Sequence, residues 1–148
     1  TGVQTVLFRS LRPATDFQRT SLVELQASPS RRQRWLDGLL KDGLAFLHDV
    51  PRAEGTLLEA MRLIGTVPET NYGYLFDVRA VPQPENLAYS DLGLGLHTDN
   101  PYREPVPGYQ ALHTLVAAPD GGDSLFTDGF AIAEHLRLTQ PDVWRESE

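Results

Sequence analysis

Leu94-Gly95-Leu96-His97-Thr98-Asp99-Asn100-Pro101-Tyr102 reads as a short strand that ends in an imidazole and a carboxylate and is then broken by proline. Residues i and i+2 of an extended segment point to the same face, so His97 and Asp99 can bind one metal ion together. One histidine and one carboxylate are two of the three protein ligands in the facial triad of non-haem Fe(II) oxygenases; the third is a second histidine. A bare His-x-Asp tripeptide also occurs in ordinary surface turns. Here Gly93 and Gly95 precede the pair, and Pro101, Pro105 and Pro107 follow it. That puts the pair at a strand end beside an irregular loop, where functional residues concentrate.

Working outward, the segments 72–80, 87–90, 109–118 and 124–128 are also short apolar or β-branched runs. The turn Pro119-Asp120-Gly121-Gly122-Asp123 separates the last two. Strands at this spacing predict a β-sandwich or barrel. Before Pro68 the pattern differs. Residues 3–11 read as a strand, 16–30 as a polar loop, and 44–50 as a short strand stopped by Pro51. Residues 31–41 form a helix with the stripe Trp35, Leu36, Leu39 and Leu40, and with Gly43 just past its end. A second helix covers 54–64, with Leu57, Met61 and Ile64 on one face and Gly65 as its stop. Asp128 caps a closing helix over 130–138, and Pro141 starts another. The expected architecture is a single α+β domain over 1–148. Residues 1–68 form a helix-rich lead-in, and 69–148 supply the opening strands of a jelly roll and a closing helix.

With 148 residues and 41% hydrophobic composition, the chain can build one real core. A net charge of −7 argues against a nucleic-acid partner, which selects for a basic face. The absence of cysteine excludes disulfides, thiolate metal sites and a cysteine nucleophile. No apolar run reaches the ~18 residues of a membrane span, and no signal pattern opens the chain. The expectation is therefore a cytoplasmic protein without a membrane partner. The sequence opens at Thr1 rather than Met and reads as a fragment or processed product.

Other motifs carry less. Gly93-Leu94-Gly95 lacks the third glycine and the helix of a dinucleotide fingerprint. The acidic run 120–128 places Leu125 where a calcium loop requires glycine, so Asp120 and Asp123 read as turn formers. Ser124 has no base beside it in sequence and no nucleophile elbow around it. His113 alternates with Gln110, Leu112 and Thr114 and reads as a hydrogen-bonded sheet histidine. His135 reads as a solvent-facing helix residue, and His48 as a strand residue with no ligand partner. The aromatic set Tyr72, Tyr74, Phe76 and Tyr89 has two readings: core packing of a strand, or a cage for a quaternary ammonium ion, with Tyr72, Tyr74 and Phe76 on one strand face.

Taken together, Tyr72-Gly73, Phe76-Asp77-Val78, Asn86-Leu87-Ala88-Tyr89, residues 96–103, Pro107-Gly108-Tyr109-Gln110-Ala111-Leu112-His113, and the stretch from Gly121-Gly122-Asp123-Ser124 to Asp128-Gly129-Phe130 resemble a known family. It is the γ-butyrobetaine hydroxylase branch of the taurine-dioxygenase-like Fe(II)/2-oxoglutarate oxygenases. The resemblance implies a double-stranded β-helix, or jelly roll. It implies Fe(II) held by His97 and Asp99, with the third histidine beyond this chain. It matches Asn86, Leu112 and Ser124 to positions lining the 2-oxoglutarate pocket, and Tyr72, Phe76 and Tyr89 to the cage that holds a trimethylammonium group. Phe76 stands where that branch tends to carry Trp, which leaves the identity of the betaine open. Relatives of the branch also act on trimethyllysine and aminophosphonate analogues.

The implied activity is hydroxylation of a small betaine such as γ-butyrobetaine, a step of carnitine biosynthesis. Its partners would be 2-oxoglutarate and O2, and a homodimer is compatible with the reading. The alternatives are a family oxygenase for a phosphonate or sulfonate, or a truncated binding module without catalysis. The resemblance covers the first half of the catalytic domain, so the chain alone is expected to be inactive.

Overall fold

The computed structural model describes residues 3–7, 11–12, 16–70, 72–78, 95–117 and 124–146. They form two compact units: Phe17–Leu115, and Thr1–Asp16 together with Val116–Glu148.

In the first unit, β3 (Arg19–Ser21) leads into α1 (Leu22–Ala27), α2 (Pro29–Asp42) and β4 (Phe46–His48), followed by α3 (Thr56–Arg62). β3 and β4 pair in parallel, with Arg19 opposite Phe46, Thr20 opposite Leu47 and Ser21 opposite His48. Parallel neighbours require a crossover, and the α1–α2 hairpin supplies it. Its packing buries Phe17, Leu22, Leu25 and Trp35, with Leu25 wholly inaccessible. The Trp35 indole N–H donates to the Phe46 carbonyl at 2.9 Å, tying α2 to β4. The ring of Phe46 meets Phe17 edge-on, and the Arg19 guanidinium lies 5.0 Å from its centroid. Gly38 is buried on α2, where any β-carbon would overlap the side chain of Gln18.

The polar stretch 16–30, expected as a loop, holds β3 and α1 instead. Its signal is Ser21-x-x-Glu24, a capping box. The Glu24 N–H donates to Ser21 Oγ at 3.2 Å, and the Ser21 N–H donates to Glu24 Oε2 at 3.4 Å. Thr20 Oγ1 adds a bond to the same carboxylate oxygen, and Arg31 pairs with the other oxygen, Glu24 Oε1, at 3.1 Å. Two backbone donors at the helix start are thus satisfied within the segment, so its polarity marks a cap and not a loop. Ser28 and Pro29 then cap and start α2, which ends at Gly43 with φ +71° and an N–H donated to Leu39.

The second unit contains β1 (Val3–Leu7), β2 (Leu11–Arg12), β5 (Ser124–Thr127), α4 (Gly129–Thr139) and α5 (Pro141–Glu146). The sheet order is β2-β1-β5, antiparallel on one side and parallel on the other. Asp128 caps α4 through its carboxylate to the Ala131 N–H at 3.0 Å, as the sequence predicts.

The strand-rich pattern expected from residue 69 onward is realised only at β5 among the described residues. Residues 72–78 and 95–117 contain turns, bends and extended chain, with one isolated bridge between Thr70 and Gly73. Alternating apolar residues make a strand only when a neighbour takes up the backbone N–H and C=O groups, so local propensity alone does not produce one. The predicted strand 87–90 lies outside the described residues. No helix among the described residues is long and apolar enough to cross a membrane.

Candidate metal and substrate site

The segment around His97 is ordered by short-range hydrogen bonds. His97 Nδ1 lies 2.7 Å from the Gly95 carbonyl, so Nδ1–H is the donor in this contact and Nε2 keeps the free lone pair. Nε2 in turn lies 3.2 Å from Asp99 Oδ1. Metal bonds of roughly 2.1 Å meeting at right angles put two donor atoms about 3 Å apart, so this separation suits two adjacent corners of one octahedral ion. A ligating histidine whose other ring nitrogen donates to a carbonyl has its tautomer and orientation fixed in advance. His97 and Asp99 therefore fit a divalent ion as a pair, and both side chains are about half exposed to an incoming ligand. Among the described residues no group of three His, Cys, Asp or Glu side chains converges on one point.

The Gly95 carbonyl is the main influence holding the His97 pKa above its ordinary value. Slight burial opposes it, and the Asp99 carboxylate adds to it. The same contacts that orient the ring thus favour its protonated form, so a metal at Nε2 competes with a proton.

Beside Asp99 lies an open hollow of about 360 Å³, lined by Thr98, Asp99, Pro101, Pro107, Tyr109 and Gln110 among others. Among the described residues that line it, none is Lys or Arg. Directly after Asp99, Asn100 adopts φ +48° and its Oδ1 accepts the Tyr102 hydroxyl at 2.8 Å.

A second feature lies at 70–76. Thr70 and Gly73 exchange backbone bonds of 3.1 and 2.9 Å, and Thr70 Oγ1 accepts the Tyr72 N–H at 3.1 Å. Gly73 supplies the positive φ (+83°) that this tight turn needs. The turn brings the Tyr72 and Phe76 rings to 5.8 Å between centroids, tilted by 45°. Tyr72, Tyr74 and Phe76 were expected on one strand face; here a turn, not a strand, creates the Tyr72–Phe76 contact. Both rings are half exposed.

Of the other predicted positions, Leu112 is exposed, and Ser124 is half-buried on β5 in the second unit. Asn86 and Tyr89 lie outside the described residues. His113 is half-buried on an irregular segment, and His135 is exposed on α4. His48 Nδ1 lies 2.8 Å from the adjacent Asp49 carboxylate, a contact that the sequence reading did not anticipate.

The family profile described as "Taurine catabolism dioxygenase TauD, TfdA family" matches residues 8–147. The chain belongs to the TauD/TfdA family. Gamma-butyrobetaine dioxygenase of Pseudomonas sp. (strain AK-1) is 38% identical to this TauD/TfdA chain over 153 residues, covering 87% of the chain and 40% of that protein. The Homo sapiens gamma-butyrobetaine dioxygenase is 30% identical over 112 residues, covering 76% of the chain and 29% of that protein. The mitochondrial trimethyllysine dioxygenase of Bos taurus is 30% identical over 130 residues, covering 88% of the chain and 30% of that protein. The TauD/TfdA chain thus aligns with two-fifths or less of the length of each of these relatives.

Proposed function

We propose that this chain carries the His97–Asp99 ligand pair and part of the substrate site of an Fe(II)/2-oxoglutarate dioxygenase that hydroxylates a small trimethylammonium compound such as γ-butyrobetaine. The observation that carries the reading is the 3.2 Å approach of His97 Nε2 to Asp99 Oδ1, with Nδ1 committed to the Gly95 carbonyl, in a TauD/TfdA chain. The jelly-roll architecture belongs to this proposal, as do the 2-oxoglutarate contacts of Asn86, Leu112 and Ser124.

Bound Fe(II), with 2-oxoglutarate and O2, would supply the oxidant for an unactivated C–H bond while the co-substrate is decarboxylated to succinate. The protein's part is coordination and orientation. His97 presents a neutral nitrogen in a fixed tautomer, and Asp99 presents an anionic oxygen that offsets part of the ion's charge. Tyr72 and Phe76 offer π faces to a quaternary ammonium group, which hydrogen bonds cannot hold, and the family resemblance assigns Tyr89 to the same cage. The net charge of −7 and a hollow beside Asp99 with no Lys or Arg among its described lining residues favour a cationic substrate over a phosphonate or sulfonate.

The test is turnover by the parent protein that contains this segment. With Fe(II), 2-oxoglutarate and γ-butyrobetaine or trimethyllysine, succinate and a hydroxylated betaine should form in equal amounts. Succinate formation stimulated by an aminophosphonate or sulfonate and by neither betaine would overturn the substrate assignment. Unchanged turnover in the His97→Ala variant would overturn the metal assignment.

A further inference from the structure

Asn100 combines two features that pull against each other. Its backbone is left-handed, at φ +48°. Yet it precedes Pro101, and a residue before proline is pushed toward extended backbone by the proline ring. Asparagine tolerates the left-handed region better than most residues, but this position still needs holding. Two groups hold it. The Arg103 N–H donates to the Asn100 carbonyl at 3.1 Å, closing a turn over Pro101 and Tyr102. The Tyr102 hydroxyl donates to Asn100 Oδ1 at 2.8 Å, fastening the side chain to the same turn. Asp99 is the residue immediately before this turn, and Pro101 inside it forms part of the wall of the hollow that Asp99 lines.

We propose that Asn100 is a positioning residue: with Tyr102 it locks the turn after Asp99 and so holds the carboxylate against His97 Nε2. Asp99 is half exposed, so little packing restrains it. The direction of its Cα–Cβ bond is set by the backbone on either side. Relaxation of Asn100 to extended geometry swings the following chain away and releases the carboxylate. Loss of outer contacts that orient a ligand typically costs about 10- to 100-fold in metal affinity. The inference rests on the reading of His97 and Asp99 as a metal-binding pair and adds what orients the carboxylate.

The test compares Asn100→Ala, Asn100→Gly and Tyr102→Phe in the full chain. Two readouts are used: Mn2+ affinity from proton relaxation, and the His97 imidazole 15N shifts recorded without metal at fixed pH. Asn100→Ala removes both the side-chain bond and the tolerance for positive φ, and should weaken Mn2+ binding roughly tenfold. Asn100→Gly keeps the backbone option and should recover part of that loss. Adding Tyr102→Phe to Asn100→Gly should cost nothing further, because both remove one shared bond. Without metal, Asn100→Ala should move the imidazole shifts toward those of Asp99→Asn, with an unchanged urea midpoint.

Mn2+ affinity within twofold of the parent in Asn100→Ala, or losses that simply add in the double variant, would overturn the lock. If the parent chain fails to bind Mn2+ through His97, the metal reading falls. The metal-free imidazole shifts still decide the role of Asn100: movement supports it and no movement rejects it.

Discussion

Residues 17–48 and the described residues 72–78 and 95–115 belong to one compact unit but are held by different means. In the first stretch Phe17, Leu22, Leu25 and Trp35 are all at most 6% exposed, and the backbone is paired through a two-strand ladder and two capped helices. In the second, Tyr72, Phe76 and Leu112 are all more than half exposed, and the chain is shaped by turns at Thr70–Gly73 and Asn100–Arg103. The first stretch gains its stability from burial, the second its shape from a few local hydrogen bonds. The candidate residues His97, Asp99, Tyr72 and Phe76 sit in the second. Substitutions should therefore separate folding from ligand binding cleanly, and the following measurements can break or sharpen that separation.

The largest effect should come from the core. Leu25→Ala deletes a wholly buried side chain and should lower unfolding free energy by about 2–5 kcal/mol in urea titrations, because the surrounding helices relax only partly into the cavity. A loss near zero would mean that the α1–α2 packing does not hold this unit.

Next comes the ligand pair. His97→Ala and Asp99→Ala should each weaken Mn2+ binding by on the order of a hundredfold, about 2.7 kcal/mol, while the urea midpoint stays within error. Loss of the fold together with the metal would show that the two regions are not separable.

Tyr72→Ala should weaken binding of a trimethylammonium ligand to the parent protein by about 1–2 kcal/mol, and binding of its tert-butyl analogue much less. Calorimetry on both ligands distinguishes a cation–π contact from a merely apolar wall, which would lose equally with either.

The smallest effects belong to the cap of α1. Ser21→Ala should cost about 1 kcal/mol of stability. The Ser21 backbone N–H, then the Thr20 hydroxyl, together with the Arg31 charge, hold the Glu24 pKa below the ordinary value of about 4.5. A depressed folded-state pKa stabilises the fold above that ordinary value, and the contribution is lost as pH falls through the lower one. NMR titration of the Glu24 carboxyl should give a midpoint below 4.5, and a midpoint at or above 4.5 would dissolve the capping box as its cause.

Much of this was written in local patterns. The α2 stripe with its Gly43 stop, the Asp128 cap and the helix start at Pro141 depend on residues within one turn or two of each other. Ser21-x-x-Glu24 was equally local and was passed over because its polarity resembles a loop. Asn100-Pro101 is a turn signal of the same kind.

What the sequence alone determined, then, is α2 with its Gly43 stop, α4 with its Asp128 cap and the start of α5 at Pro141, since i+3 and i+4 geometry follows from backbone covalent structure. Only the tertiary structure decided that β3 pairs with β4 across the helical hairpin and that β1 takes β5 as its parallel neighbour. It also decided that the chain turns at Thr70–Gly73 and runs on through 75–78 without a ladder where alternation suggested a strand. A ladder needs a partner distant in sequence, and no pattern within the segment reports whether its backbone groups will find one.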